Sequence, residues 1–180
     1  MFIRKCFCTF ASEKVFLIMG MFDFFRKKRK DKPVPVVVRT IEQLDPVDSD
    51  TDCRFSPKFI NALAPNEVFV FGSNLEGFHG GGAARIALKR FGAVWGKGSG
   101  HYGQSYAIPT MQGGVETIRP YVDQFIEYAK VHTELVFLVT RIGCGIAGFD
   151  DAEIAPLFAE AADMKNVKLP KSFAEYLKIE

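Results

Sequence analysis

The sequence predicts an α/β fold, with a largely parallel or mixed sheet covered on both faces by helices and an N-terminal tail outside the core. Three observations carry this. From residue 55 onward, short runs rich in β-branched and aromatic residues alternate with stretches of helical period. Fifteen of the sixteen glycines lie between Gly72 and Gly148, most of them just after one of those runs. A chain of 180 residues, 48% apolar and 24% charged, has the balance of one globular domain with some additional chain.

In chain order, residues 1–54 read as tail and linker and residues 55–180 as the domain. Residues 1–32 carry nine Lys/Arg against three Asp/Glu, residues 33–66 three against five, and residues 67–180 eleven against thirteen. The basic character therefore belongs to the tail. A body that grips nucleic acid through phosphates shows a basic excess, and this mildly acidic one does not. Two readings of the tail compete. Met21-Phe22-Asp23-Phe24-Phe25 followed by Arg26–Lys30 suits weak contact with an anionic membrane surface, aromatics inserting and cations meeting headgroups. The other reading is a solvated, disordered start, with Met19 or Met21 as an internal natural start. The order of charged and apolar stretches does not match a secretory signal, and no apolar run approaches the roughly 20 residues of a membrane span. Pro33, Pro35, Pro46 and the acidic stretch from Asp45 to Asp52 read as a linker with at most a short strand at Val36–Val38. Cys6, Cys8, Cys53 and Cys144 lack the spacing of a zinc site, so free thiols in a reducing cytoplasm are expected, with no metal and no resident cofactor.

Within the body, Ser56 is placed to cap a short helix through Leu63, with Pro57 tolerated in its first turn. Glu67–Phe71 predicts a buried strand and Gly82–Phe91 a helix. Ser105–Ile108 predicts a strand ended by Pro109. Ile118, Tyr121, Val122, Phe125, Ile126 and Ala129 recur at helical spacing, the clearest amphipathic helix in the chain. Leu135–Thr140 is an apolar strand ending in a hydroxyl. Asp150 with Glu153 three residues later predicts a capped helix start, and Val167–Leu169 a last strand. Trp95 and the phenylalanines are expected in the core.

Two glycine-rich loops, Phe71–Gly82 and Thr140–Phe149, each leave a strand and open a helix. That geometry aims unpaired backbone N–H groups and a positive helix end at one place, which suits phosphate, and ligands of such sheets bind beyond the carboxyl ends of the strands. The alternative is that both are merely tight turns. Gly96–Gly100 also has a phosphate-loop look but lacks the G-x4-G-K-[ST] frame, and reads as a flexible loop.

At these loops the sequence resembles the macro domains. Gly72-Ser73-Asn74 followed by Gly80-Gly81-Gly82-Ala83-Ala84 is similar to that family's strand-end Asn and GGG-V run. Gly143–Phe149 is similar to its second loop, S-T-G-[VI]-[YF]-G-Y. Phe69–Asn74, Gly103–Thr110 and Thr140–Gly145 resemble the signatures of a bacterial and phage-associated branch, and the resemblance spans roughly residues 55–170. It implies a three-layer α/β/α sandwich that binds ADP-ribose, free or attached to a macromolecule, or a related nucleotide. Carried over, Ser73 and Asn74 meet the ribose beyond the diphosphate. Gly80, Gly81 and Gly82 with Gly143, Cys144, Gly145, Ile146, Ala147 and Gly148 hold the phosphates, and Phe149 packs on the ribose. One departure matters: where hydrolytic members carry a water-activating Asp after GGG-V, this chain has Ala84.

Three readings of function follow: a binding module for ADP-ribose or a related nucleotide diphosphate; an ADP-ribosyl hydrolase in which Glu76 or His79, beside Asn74, replaces the missing Asp; or a structural or phage-associated interaction protein whose glycine loops serve only the fold. Helix-opening N–H groups beside Cys144 are expected to lower its pKa, against plain packing of a small residue. Arg141 is placed to pair either with a phosphate or with a neighbouring acid, and His101 and Tyr102 are candidates to line the pocket.

Overall fold

The computed structural model describes residues 54–179; the readings of the tail, of the linker and of Cys6, Cys8 and Cys53 lie outside them. The described residues form a mixed α/β unit. In chain order it runs β1 (Glu67–Ser73), α1 (Gly82–Arg90), β2 (Gly100–Tyr102), β3 (Ser105–Pro109), α2 (Val115–Val131), β4 (Val136–Val139), α3 (Asp151–Ile154) continued by a 3-10 segment (Ala155–Ala161), β5 (Val167–Lys168) and α4 (Lys171–Leu177). The five strands make one sheet in the order β2-β3-β1-β4-β5. β1, β3, β4 and β5 are parallel neighbours, and β2 alone runs antiparallel at the edge.

Strand alternation sends side chains to two apolar clusters. Val68 and Val70 of β1 join Tyr106, Ile108, Phe137 and Val139 in the larger one, with the inner face of α2, the 3-10 segment and Phe173 of α4. Phe69 and Phe71 point the other way, to Ala107, Leu138, and Ala87 and Phe91 at α1. In α2 the buried residues are Ile118, Val122, Phe125, Ile126 and Ala129, the stripe that the sequence period marks. At α3 the expected reciprocal cap is present: the Asp150 side chain accepts from the third helical N–H, and the Asp150 N–H donates to Glu153 Oε2 at 2.9 Å.

Three expectations fail here. Ser56–Leu63 is not helical. Ser56 Oγ donates to Val139 O at 2.6 Å and Ser56 N–H to Leu169 O at 2.9 Å, so this serine ties the chain to the ends of β4 and β5. A seven-residue helix cannot compete with two such bonds plus burial of Ile60. Gly100, at the end of the presumed flexible loop, instead opens β2 with His101 and Tyr102, and the turn Gly103-Gln104 returns the chain into β3. Trp95, Phe59 and Phe78 are exposed and outside the core.

Connections of adjacent strands diverge at β1 and β4. After β1 the chain runs through α1 toward β2 and β3; after β4 it runs through α3 to β5, with α1 and α3 contributing to different apolar clusters. A crevice opens at the carboxyl ends of such a strand pair. Among the described residues no helix is long and apolar enough to cross a membrane.

Candidate functional site

A cleft of about 300 Å³ lies at this divergence, and every parallel strand next to it contributes its C-terminal end. β1 supplies Gly72 and Ser73 and leads into Asn74, β3 leads into Thr110 and Met111, and β4 leads into Thr140–Gly143. Gly80–Ala84 at the start of α1 and Gly145–Ala147 complete the wall. The segments that follow β3 and β4 close over Gly72, which has no side chain to hold them off. A Cβ there would stand 3.2 Å from Thr110 Oγ1 and 3.4 Å from the backbone N of Gly143. Ile146 leans across toward the first loop: a Cβ on Gly81 would lie 3.1 Å from Ile146 Cδ1.

The cleft is rich in unpaired donors. In the second loop Cys144, Gly148 and Phe149 spend their N–H groups on Arg141, Gly145 and Gly143. The N–H groups of Gly143, Gly145, Ile146 and Ala147 find no acceptor among the described residues. At α1 the N-cap is Gly81, no side chain caps it, and its first turn holds no acid. Its first N–H groups are therefore left to whatever occupies the cleft. No carboxylate and no imidazole lines this cleft, and its cation is Arg141.

The expected site residues divide accordingly. Ser73, Asn74, Gly80, Gly81, Gly82, Gly143, Gly145, Ile146 and Ala147 share the cleft wall, whereas Cys144, Gly148 and Phe149 are not part of it. Phe149 packs against the larger core instead, and a Cβ on Gly143 would meet its ring at 3.3 Å. The Asn74 amide closes a ring with its own loop, donating through Nδ2 to Phe78 O at 3.0 Å and accepting from Phe78 N–H at 2.9 Å. It shapes the first loop while lining the cleft. Glu76 is exposed at the turn Leu75-Glu76 and lies outside the wall. His79 also lies outside it and is only 1% exposed. Its Nε2 contacts Lys97 O at 3.2 Å, its ring meets Phe71 edge-on, and its Nδ1 is buried with no partner. Bonding to a carbonyl assigns the proton to Nε2. His101 and Tyr102 stand on β2, away from the cleft. His101 Nδ1 instead meets Tyr128 Oη at 2.7 Å, and burial holds its pKa below the usual histidine value.

Arg141 resolves toward the neighbouring acid. Its Nε and Nη2 donate to Asp151 Oδ1 and Oδ2 at 3.0 and 2.8 Å, while the residue still lines the cleft. Burial alone would raise the Asp151 carboxyl, but the hydrogen bonds from Arg141, with the Cys144 thiol close by, outweigh it and hold the group below the usual carboxylate range. The thiol goes the other way. The Cys144 thiol donates to Ile142 O at 3.4 Å, and burial first, then the neighbouring Asp151 carboxylate, push it up to about 12, so the expected lowering is overturned. At pH 8 the thiolate is scarce, and peptide-resolved mass spectrometry after a short iodoacetamide pulse is expected to show Cys144 alkylated about tenfold or more slower than an exposed thiol. Asp151→Asn removes a neighbouring negative charge and is expected to speed that alkylation. Labelling of Cys144 at an ordinary thiol rate would refute the assignment.

The sequence reading missed Phe78, Thr110, Met111 and Thr140 as cleft residues. The signal was there for the last three: Thr110 and Met111 lie two and three positions past the predicted strand Ser105–Ile108, and Thr140 is the last residue of the predicted strand Leu135–Thr140. Among the described residues no three or more of His, Cys, Asp and Glu gather as a metal ion would require. Compared with known proteins, the chain matches no family model, no curated protein and no solved structure.

Proposed function

We propose that this chain binds ADP-ribose or a related nucleotide diphosphate in the cleft beyond β1 and β4. One observation carries the reading: a carboxylate-free cleft in which four N–H groups of the second loop and the uncapped start of α1 are left without acceptors. Unpaired backbone donors are costly unless a ligand or water takes them, and an anion with several oxygens suits them best. The glycines admit it, since a Cβ on Gly80 or Gly145 would meet nothing within 4 Å and the backbone there is open to a ligand. The resemblance of Gly72–Asn74, Gly80–Ala84 and Gly143–Phe149 to macro domains names the nucleotide, and the three-layer α/β/α arrangement belongs to the same proposal.

Binding is favoured over hydrolysis by the wall itself. Ala84 stands where the water-activating Asp is expected, and neither Glu76 nor His79 reaches the cleft surface. An alanine cannot accept a proton, and a general base must come within about 2.6–3.2 Å of the water it activates. Calorimetry with ADP-ribose, ADP and NAD is expected to give saturable binding to one site, without release of ADP-ribose from a modified protein or nucleic acid. Absence of heat with all three ligands sinks the binding reading. Turnover lost in Glu76→Gln or His79→Ala, with binding kept, would replace it with the hydrolase.

A further inference from the structure

Phe78 and Trp95 form an aromatic pair at the rim of this cleft, with ring centroids 5.5 Å apart and planes inclined by 32°. They are 57% and 56% exposed, an unusual outlay of apolar surface for two adjacent large rings. Phe78 lines the cleft and Trp95 extends the surface behind it. The platform is also held in place. Asn74 brackets the Phe78 backbone with two hydrogen bonds, and Gly96 N–H donates to Gly77 O at 3.0 Å, joining the loop of Trp95 to the loop of Phe78. With the backbone tied in that way and the two rings against each other, a face is offered to a flat partner at reduced entropic cost.

We propose that Phe78, backed by Trp95, is the stacking platform for the base of the bound nucleotide. The inference rests on the binding reading above and adds where the base lies: beside Asn74, at the end where the resemblance places the ribose beyond the diphosphate, so the nucleotide runs through the cleft in the opposite direction. The unpaired N–H groups take the anionic part of the ligand and carry no preference for a base. Every nucleobase has a π-face, and stacking on an aromatic side chain is worth enough to decide affinity. Phe78 is two residues before Gly80, so the platform and the phosphate-facing start of α1 belong to one short segment.

The chain holds a single tryptophan, so its emission reports on this platform directly. Titration of the full chain with ADP-ribose or ADP is expected to change Trp95 emission saturably. Inorganic pyrophosphate, followed by calorimetry, is expected to bind the cleft more weakly and leave the emission unchanged. Phe78→Ala is expected to weaken ADP-ribose about tenfold, with pyrophosphate unaffected and Phe78→Tyr restoring the loss. Trp95→Phe serves as a second variant should Phe78→Ala lower the melting temperature. ADP-ribose bound with no emission change, and with affinity within twofold in Phe78→Ala, would overturn the platform while the cleft reading stands. No heat from ADP-ribose, ADP or pyrophosphate would overturn both.

Discussion

Gly145→Glu is expected to leave the fold intact and to remove most of the affinity for ADP-ribose. The position combines two properties that rarely coincide. A Cβ on Gly145 meets nothing within 4 Å, so the new side chain costs little in packing. Yet Gly145 lies in the cleft wall, between two N–H groups that find no acceptor among the described residues, at Gly143 and Ile146. A carboxylate there faces a diphosphate across a partly desolvated space, and at an effective dielectric near 20 the repulsion amounts to about 2–4 kcal/mol. It also offers oxygens to the very donors the ligand needs. Calorimetry with ADP-ribose, alongside a thermal melt, tests both halves. Affinity should fall by about two orders of magnitude while the melting midpoint moves little. Unchanged affinity in a folded Gly145→Glu protein would remove the diphosphate from this cleft.

What the sequence disclosed and what it concealed divide along the range of the interactions. β1, β3 and β4 were legible because each is a short apolar run with its own local signature, and the stripe of α2 because it repeats through three turns. The reciprocal cap at Asp150 and Glu153 spans only four residues and was equally plain. Ser56 misled because its partners, Val139 O and Leu169 O, are distant in sequence, while its local context of Ser-Pro imitates a helix start. β2 was hidden for a similar reason. Three residues beginning with glycine have no strand signature of their own and become a strand only by pairing with β3. α4 was missed although Pro170 and the pair Phe173 and Leu177 mark it, because a seven-residue helix at the end of a chain is a weak pattern without the core it packs on.

The site shows the same division. Backbone donors at Gly143–Ala147 could be anticipated, since a strand, a glycine loop and a helix in succession dictate where N–H groups point. Side-chain roles could not. His79 is next to Gly80 in sequence, but the hydrogen bond to Lys97 and the Phe71 ring turn it inward. The loop neighbours of Cys144 suggest a lowered pKa, yet burial, and after it Asp151 seven residues on, raises its proton affinity. Trp95 is expected in the core and lies outside it. Its exposure follows from the loop it sits on, which packs through glycine backbone and leaves the ring outside.

That packing carries the second large effect. Gly98→Ala is expected to destabilise the protein by about 3 kcal/mol and lower the melting midpoint by roughly 10 °C. Loop 94–98 lies so tightly on the first cleft loop that a Cβ at Gly98 would overlap the Asn74 carbonyl oxygen, with Leu75 O at 2.6 Å. Both obstacles are backbone, so neither loop can yield by rotating a side chain. Two comparison variants isolate the cause. Gly80→Ala adds a Cβ that meets nothing within 4 Å on a backbone without positive φ, and is expected to be close to neutral. Gly96→Ala also enters open space but at φ +83°, so it should cost only the left-handed strain, about 1 kcal/mol. The predicted order of melting temperatures is therefore Gly80→Ala above Gly96→Ala above Gly98→Ala. Equal stability of Gly98→Ala and Gly80→Ala would mean that the two loops are not in contact. Because Asn74 and Phe78 lie on the displaced side of that contact, Gly98→Ala should also weaken ADP-ribose binding in the fraction that remains folded, although residue 98 is not part of the cleft wall.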